Sequence, residues 1–456
     1  MEIPTRVAMR TKQQVVKCCP PGQAGNDKWA NPFFIFSLFI IHFLVACSDF
    51  FEPVDSTPAP TEYSYNYWML QSFYLFEDEL PLLDENGDSV TELYSKLTDP
   101  YTRYIPPAKS EATKTQMNTS FVPGDVGMEY DIFNGAEHPL AISRVYPESP
   151  AGRAGIPRHG NILNVNGVEI TGDGAKATYD SILLYNKDLS MKIAYLGDTN
   201  TYDITKEDVY APTVFIDTIS GIVNIVIKSF KLNTVDQKDG TLGELRAYLD
   251  STKNTTAPRI IDLRNNPGGH VNRCTDMADL FIEKGPVSIR SWRSVNGDGT
   301  PTYRKEIINA KKGDAGENKK FVVLVNRVSA SCSEIFTAAL QEGAEIPVAG
   351  TTTFGKGIGQ TTMNTMAGGL AIITNLEFLT PKGNSYHKKG IVPDYACDSA
   401  TLACAIEAIQ KYHGKKATAK SISKDFFDDV TTRKYDSTES GAFIESTYHP
   451  DFEQLN

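Results

Sequence analysis

The sequence predicts a mixed α/β body carrying a separate β-rich module and a small helical region, all behind an apolar leader. Three observations carry that prediction. First, near-continuous apolar runs at Ile222–Ile227, 259–263 and Phe321–Val325 have the length and β-branching of strands buried on both faces. Second, the last run is followed by Ile335, Phe336, Ala338, Ala339 and Leu340, spaced for one face of a helix. Third, residues 121–205 switch to short alternating segments broken by Gly, Pro and Asn, the signature of hairpin-connected strands.

Length and charge bound the rest. A chain of 456 residues exceeds one compact domain and predicts two or three. Its 41% hydrophobic and 22% charged residues are ordinary for a folded protein. The net charge of −11 and the lack of a basic patch set nucleic-acid binding aside. No internal repeat is present. No Cys-x-x-Cys pair lies beside histidines, so zinc is not expected; the serine chemistry read below needs no metal or organic cofactor.

In chain order, residues 33–46, FFIFSLFIIHFLVA, are almost wholly apolar. That run is short for a membrane span, which takes roughly 20 residues, and suits a signal-peptide core. Lys28 stands just upstream, and the leader, with Cys18 and Cys19, is long enough to suggest a start codon placed too early. Leu44-Val45-Ala46-Cys47 resembles a bacterial lipobox. It predicts cleavage before Cys47, lipid on that cysteine, and a protein tied through it to the outer membrane of a bacterial cell envelope. Residues 48–62, with three prolines and several acids, read as an extended tether. Residues 63–120 open on an aromatic stripe, Tyr67, Trp68, Leu70, Phe73, Tyr74 and Leu75, at helical spacing for core packing. Residues 296–318, rich in Gly, Asp, Lys and Asn, read as an exposed excursion. A short strand is expected at 346–348, and Leu402 to Tyr412 read as a terminal amphipathic helix.

The chemistry concentrates at 319–360. Ser331 stands at the mouth of the expected helix, beside unpaired amides and the positive end of the dipole. An oxyanion formed by attack of that serine on a carbonyl would be stabilised there. Ser331-x-x-Glu334 is equally a capping box, and the two roles are compatible. A serine needs a base. Lys356, in Phe354-Gly355-Lys356-Gly357, serves if burial lowers its pKa far enough to leave it neutral. Rival nucleophiles and bases are Cys332, a more reactive thiol, and His270 in a Ser-His-Asp arrangement. Cys397 and Cys404, seven apart, are a candidate pair in an oxidising compartment.

Three features in fixed register resemble the C-terminal processing (tail-specific) serine peptidases: Ser329-Ala330-Ser331-Cys332-Ser333-Glu334, the Phe-Gly-Lys-Gly loop 25 residues beyond Ser331, and Gln360 four residues past Lys356. Further segments resemble that family in order. They are Asp99-Pro100-Tyr101-Thr102-Arg103-Tyr104, the PDZ-like stretch from Val126-Gly127-Met128 to Asn166-Gly167, Arg264-Asn265-Asn266-Pro267-Gly268-Gly269, and the closing Lys389–Asp394 motif.

The resemblance implies an α/β catalytic domain, a twisted sheet flanked by helices and ClpP/crotonase-like, plus a PDZ-like β domain and a small helical N-terminal domain. The expected division is 1–46 lipoprotein signal peptide, 47–62 tether, 63–120 helical domain, 121–205 PDZ-like domain, 206–412 catalytic domain and 413–456 tail. It implies Ser331 as nucleophile, Lys356 as base and Gln360 as the residue orienting Lys356. The oxyanion hole would draw on the Cys332 amide and on Gly268, with Gly269 open as the alternative. Val126, Gly127 and Met128 would cradle a terminal carboxylate, making proteins and peptides with accessible C-termini the partners. Glu342 stands where many members carry aspartate. A catalytically inactive tail-binding scaffold and a polymer-binding surface lipoprotein are the alternatives.

Overall fold

The computed structural model describes residues 60–414 except Asn318. The expected signal peptide, Cys47, most of the tether and the tail from 415 on lie outside the described residues.

The apolar runs form the centre of a six-stranded sheet in the order Val214–Ile219, Ile222–Ile227, Arg259–Asp262, Phe321–Val325, Val348–Gly350, Tyr395–Ala396. The first pair is antiparallel and every later pair parallel. All five side chains of Phe321–Val325 are fully buried because both faces are covered. Val323 and Val325 face helices Thr241–Ser251, Val271–Asp279 and Cys332–Gly343, while Val322 and Leu324 face helix Leu402–His413. Each such side chain taken from water contributes about 1.5–3 kcal/mol, so the strand that feeds Ser331 is among the best anchored in the chain.

A second, antiparallel sheet is built on Leu370–Leu379, which pairs with Arg103–Ile105, Pro286–Val295 and Ile358–Asn364. Helices Glu62–Phe73 and Val90–Ser95 bury Tyr63, Met69, Leu70, Leu93 and Tyr94 against Ala371 and Ile373 of this sheet. Buried Arg293 donates to Tyr74 O at 2.7 Å and pairs with Glu77 at 2.5 Å. The helical N-terminal segment therefore shares a core with this sheet and adds one strand to it.

The third sheet is the antiparallel, PDZ-like one, in the order Met128–Ile132, Leu140–Val145, Asn161–Val165, Asp188–Tyr195, Asp198–Thr205. Its core joins Leu140, Ile142, Ile162, Met191 and Ile193 to Tyr179 of helix Ala175–Tyr185. Entry and exit strands Phe121–Asp125 and Glu207–Tyr210 pair with each other, so the module leaves and rejoins the chain at one point. Asp217 accepts ion pairs from Arg144 and Arg158, which pins the module to the first strand of the large sheet.

Two expectations need correction. Residues 296–318 are not a plain excursion, since Pro301–Asn309 is a nine-residue strand paired with Pro286–Val295. Most of its side chains are exposed, so no apolar alternation announced it; a neighbouring edge supplied the pairing. The strand expected at 346–348 runs Val348–Gly350, where the Val348 amide donates to Asp394 Oδ2 at 2.9 Å.

Candidate active site

The Ser329–Glu334 motif sits where Phe321–Val325 turns into helix Cys332–Gly343. Its three serines do different things. Ser329 Oγ donates to Leu263 O at 2.8 Å, and Ser333 Oγ to Asn266 O at 2.9 Å, so both outer hydroxyls fasten the glycine loop. Ser331 between them has φ +55°, a left-handed backbone rare in a residue with a side chain. Strain of this kind, of order 1–3 kcal/mol, persists where surroundings over-determine it.

Glu334 supplies that over-determination. It is fully buried and accepts four hydrogen bonds. Oε1 takes the Thr353 hydroxyl and the Gly355 amide, both at 2.6 Å; Oε2 takes the Lys356 amide at 2.7 Å and the Ser331 amide at 2.9 Å. One carboxylate thus joins the serine turn to the lysine loop. A direct bond from Phe354 N to Ser329 O, 3.1 Å, adds to the same seam. Burial pushes the Glu334 carboxyl above its usual range, and these donors pull it back.

Lys356 is half-buried, with Nζ 4.0 Å from the ring centroid of Tyr101. Burial first, and the charge of Arg103 second, lower its pKa to about 8; Asp99 and Glu334 oppose them. Asp99 in turn accepts from the Tyr101 and Thr102 amides and the Thr102 hydroxyl, which shapes the turn presenting Tyr101. Lys356 makes no hydrogen bond to the Ser331 hydroxyl in this arrangement; its ammonium rests on Tyr101.

Gln360 does not hold Lys356. Its Nε2 donates to Thr374 Oγ1 at 3.0 Å, because residue 360 already belongs to strand Ile358–Asn364 and faces Leu370–Leu379. The glycine loop also differs from expectation. Buried Asn266 accepts the Gly268 amide at 2.9 Å, so Gly268 is not a free oxyanion donor here. Among the described residues no acceptor stands opposite the Gly269 or Cys332 amide. The Gly268 position itself is tight: a Cβ there would fall 2.9 Å from both the Cys332 nitrogen and the Ser331 Cβ. The glycine loop and the serine turn are therefore in direct contact.

The cysteine alternative ends on a covalent fact. Cys332 Sγ is bonded to Cys274, so no thiol is available. Cys397 and Cys404 form a second disulfide. His270 sits at the N-cap of Val271–Asp279 and does not bond Ser331; His387 packs against Gly357. Glu342 accepts the Lys382 amide at 2.8 Å, a tie to the 380–383 turn.

In the PDZ-like module Val126 is buried, its carbonyl accepting from Ala151 N at 2.9 Å. Met128 pairs with Val145. The Gly127 amide is occupied by Asp125 Oδ1 at 2.5 Å, so the expected cradle already holds a carboxylate from its own chain. Gly127 has φ +78° and lies against Ser149, where a Cβ would meet Ser149 Cβ at 2.0 Å.

Comparison with known proteins matches this architecture. The family model of peptidase family S41 matches residues 221–397, the stretch holding the glycine loop, Ser331, Glu334 and Lys356. Over these residues the chain is similar to peptidase family S41. The chain is 29% identical, over 335 residues, to a probable CtpA-like serine protease of Staphylococcus aureus, covering 73% of this chain and 64% of that protein. A Staphylococcus saprophyticus protein of the same description is 29% identical over 310 residues, 67% and 59% of the two chains. The chain thus spans somewhat under two thirds of the length of these curated relatives. A Bacteroides fragilis structure described as an S41 protease covers 78% of this chain and 99% of its own at 14% identity, with a TM-score of 0.54, a likeness of fold.

Sequence reasoning missed Tyr101, Asn266 and the bridging role of Glu334. The capping box read at Ser331-x-x-Glu334 is present, with the Ser331 amide on Glu334 Oε2; the further bonds of Glu334 to Thr353, Gly355 and Lys356 had no local signal. Tyr101 and Lys356 are 255 positions apart, and nothing local links them.

Proposed function

We propose that the chain is a serine endopeptidase that cleaves proteins or peptides through a Ser331–Lys356 dyad and an acyl-enzyme, with the substrate's C-terminal tail gathered by the PDZ-like module. One observation carries this reading: Glu334 ties the backbones of a strained serine and a lysine of lowered pKa to one carboxylate. The S41 match and the S. aureus relative support it.

In the reaction Lys356 turns from the Tyr101 face toward Ser331. Neutral Nζ takes the hydroxyl proton as Oγ bonds the scissile carbonyl carbon. The tetrahedral oxyanion is met by the Cys332 and Gly269 amides. Its collapse breaks the C–N bond, and Lys356 returns the proton to the leaving amine. Water, deprotonated by Lys356, then attacks the Ser331 ester carbon; collapse breaks the C–Oγ bond, Lys356 returns the proton to Ser331 Oγ, and the acid is released. With a pKa of about 8, roughly a tenth of Lys356 is neutral at pH 7, enough to begin turnover.

The reading includes lipid attachment at Cys47 and residence at the bacterial envelope, which the leader supports. The inactive tail-binding scaffold is the second reading; the Lys356–Tyr101 contact and the committed Gly268 amide favour it. Cleavage of casein and of a free-tail peptide, with fluorophosphonate labelling of Ser331, separates the two. Ser331→Ala and Lys356→Ala are expected to lose cleavage and keep tail binding. A wild type that neither cleaves nor labels, yet binds tails, establishes the scaffold.

A further inference from the structure

The Cys274–Cys332 disulfide lies in the floor of this site and has no role in the reaction above. Cys332 is the first residue of helix Cys332–Gly343 and follows Ser331 directly. Cys274 is in the first turn of helix Val271–Asp279, its amide bonded to His270 O at 3.3 Å, and that helix begins just after Gly268-Gly269-His270. The bond spans 58 positions with a Cα–Cα separation of 5.6 Å. It therefore joins the opening turns of the two helices that follow the glycine loop and the serine turn.

The other ties between these loops all act at one end. Ala330 N and Ser333 Oγ both donate to Asn266 O, and Ser329 Oγ to Leu263 O, so they secure the loop before Gly268. Beyond Gly268 the loop is bonded to Phe230, through Phe230 N to Gly268 O and His270 N to Phe230 O, and not to the serine turn. The disulfide is the covalent tie on that side. Both half-cystines are fully buried, so the bond is permanent in the folded protein, not an exposed switch.

Resting on the peptidase reading, we propose that Cys274 and Cys332 are positioning residues: their disulfide sets the separation of the Cys332 and Gly269 amides that receive the oxyanion. Donors aimed at charge that appears only in the transition state affect kcat far more than substrate binding. A misplacement of about 1 Å suffices for a hundred-fold loss.

The test uses the oxidised full chain in four forms: wild type, Cys274→Ala/Cys332→Ala, Cys274→Val/Cys332→Ala, which refills the space without a bond, and Cys397→Ala/Cys404→Ala, which removes the distant disulfide. Cleavage kinetics on a free-tail peptide, fluorophosphonate labelling rate and tail-peptide affinity are measured for each folded form. Both Cys274/Cys332 variants are expected to lose at least ten-fold in kcat and in labelling rate, with KM and tail affinity within two-fold. The Cys397/Cys404 variant is expected to keep wild-type kinetics. Kinetics within two-fold of wild type in either Cys274/Cys332 variant overturn the proposal, because packing alone then suffices. Equal losses in kcat and tail affinity overturn it as well, since they mark a general loosening. An active wild type with unaffected variants leaves the peptidase reading standing; an inert wild type removes both.

Discussion

The amides of Ser331 and Lys356 donate to the same atom, Oε2 of Glu334, at 2.9 and 2.7 Å. Two loops 25 residues apart in sequence are thereby hung from one point, and the geometry of the proposed dyad depends on a residue with no part in bond making. A carboxylate suits that place because it presents only acceptors to four donors. Glu334→Gln keeps the size but turns an NH2 group toward N–H or O–H donors. It is expected to lower kcat at least a hundred-fold and stability by about 3 kcal/mol, as buried charge-assisted bonds are lost. Cleavage kinetics and urea unfolding check this; kcat within three-fold of wild type would refute the hub.

Activity is expected to rise with pH through a midpoint near 8, since only neutral Lys356 accepts the serine proton. Burial is the main cause of the low value and Arg103 the second. Removing a positive neighbour makes protonation easier, so Arg103→Leu should move the midpoint upward. Profiles of kcat/KM between pH 6 and 10 decide it, and a midpoint that stays put or falls argues against Lys356 as the base.

The same burial makes a stability prediction. A lysine whose folded pKa lies below its unfolded value weakens the fold at every pH where it is charged in both states, here below about 8. The penalty fades as pH approaches the unfolded value near 10.4. Lys356→Met should abolish cleavage yet stabilise the fold by about 1–2 kcal/mol at pH 7, net of the lost contact with Tyr101. Urea midpoints at pH 7 and 10.5 give the test: a gain as large at 10.5 as at 7 contradicts the mechanism.

The Gly127 amide donates to Asp125 Oδ1, so under the proposed tail-binding role Asp125 would compete with an incoming carboxylate. Asp125→Ala should free that amide and tighten binding of a free-carboxylate peptide about ten-fold, as one charge-assisted bond of roughly 1.5 kcal/mol is no longer pre-empted. Binding to the matching amidated peptide should not change. Calorimetry with the two peptides distinguishes them; weaker binding by Asp125→Ala would mean that its carboxylate shapes the loop.

Much of the fold was legible because it rests on local pattern. Phe321–Val325 and Ile222–Ile227 announce themselves as buried strands, and the alternating segments after 121 announce an antiparallel sheet. Strand Pro301–Asn309 was illegible because its side chains are mostly exposed and its pairing is dictated by a neighbour.

The sequence by itself determined the chemistry on offer: a serine at a helix mouth, a lysine among glycines, an acid three residues past the serine. Only the tertiary structure decided how these meet. It set Glu334 between the loops, laid Lys356 on Tyr101, turned Gln360 to Thr374, closed the Gly268 amide with Asn266 and joined Cys274 to Cys332. The physical reason is range: strand and helix signals arise from neighbours within a few residues, whereas a hydrogen bond or disulfide is satisfied by whatever partner the packed core brings within about 3 Å.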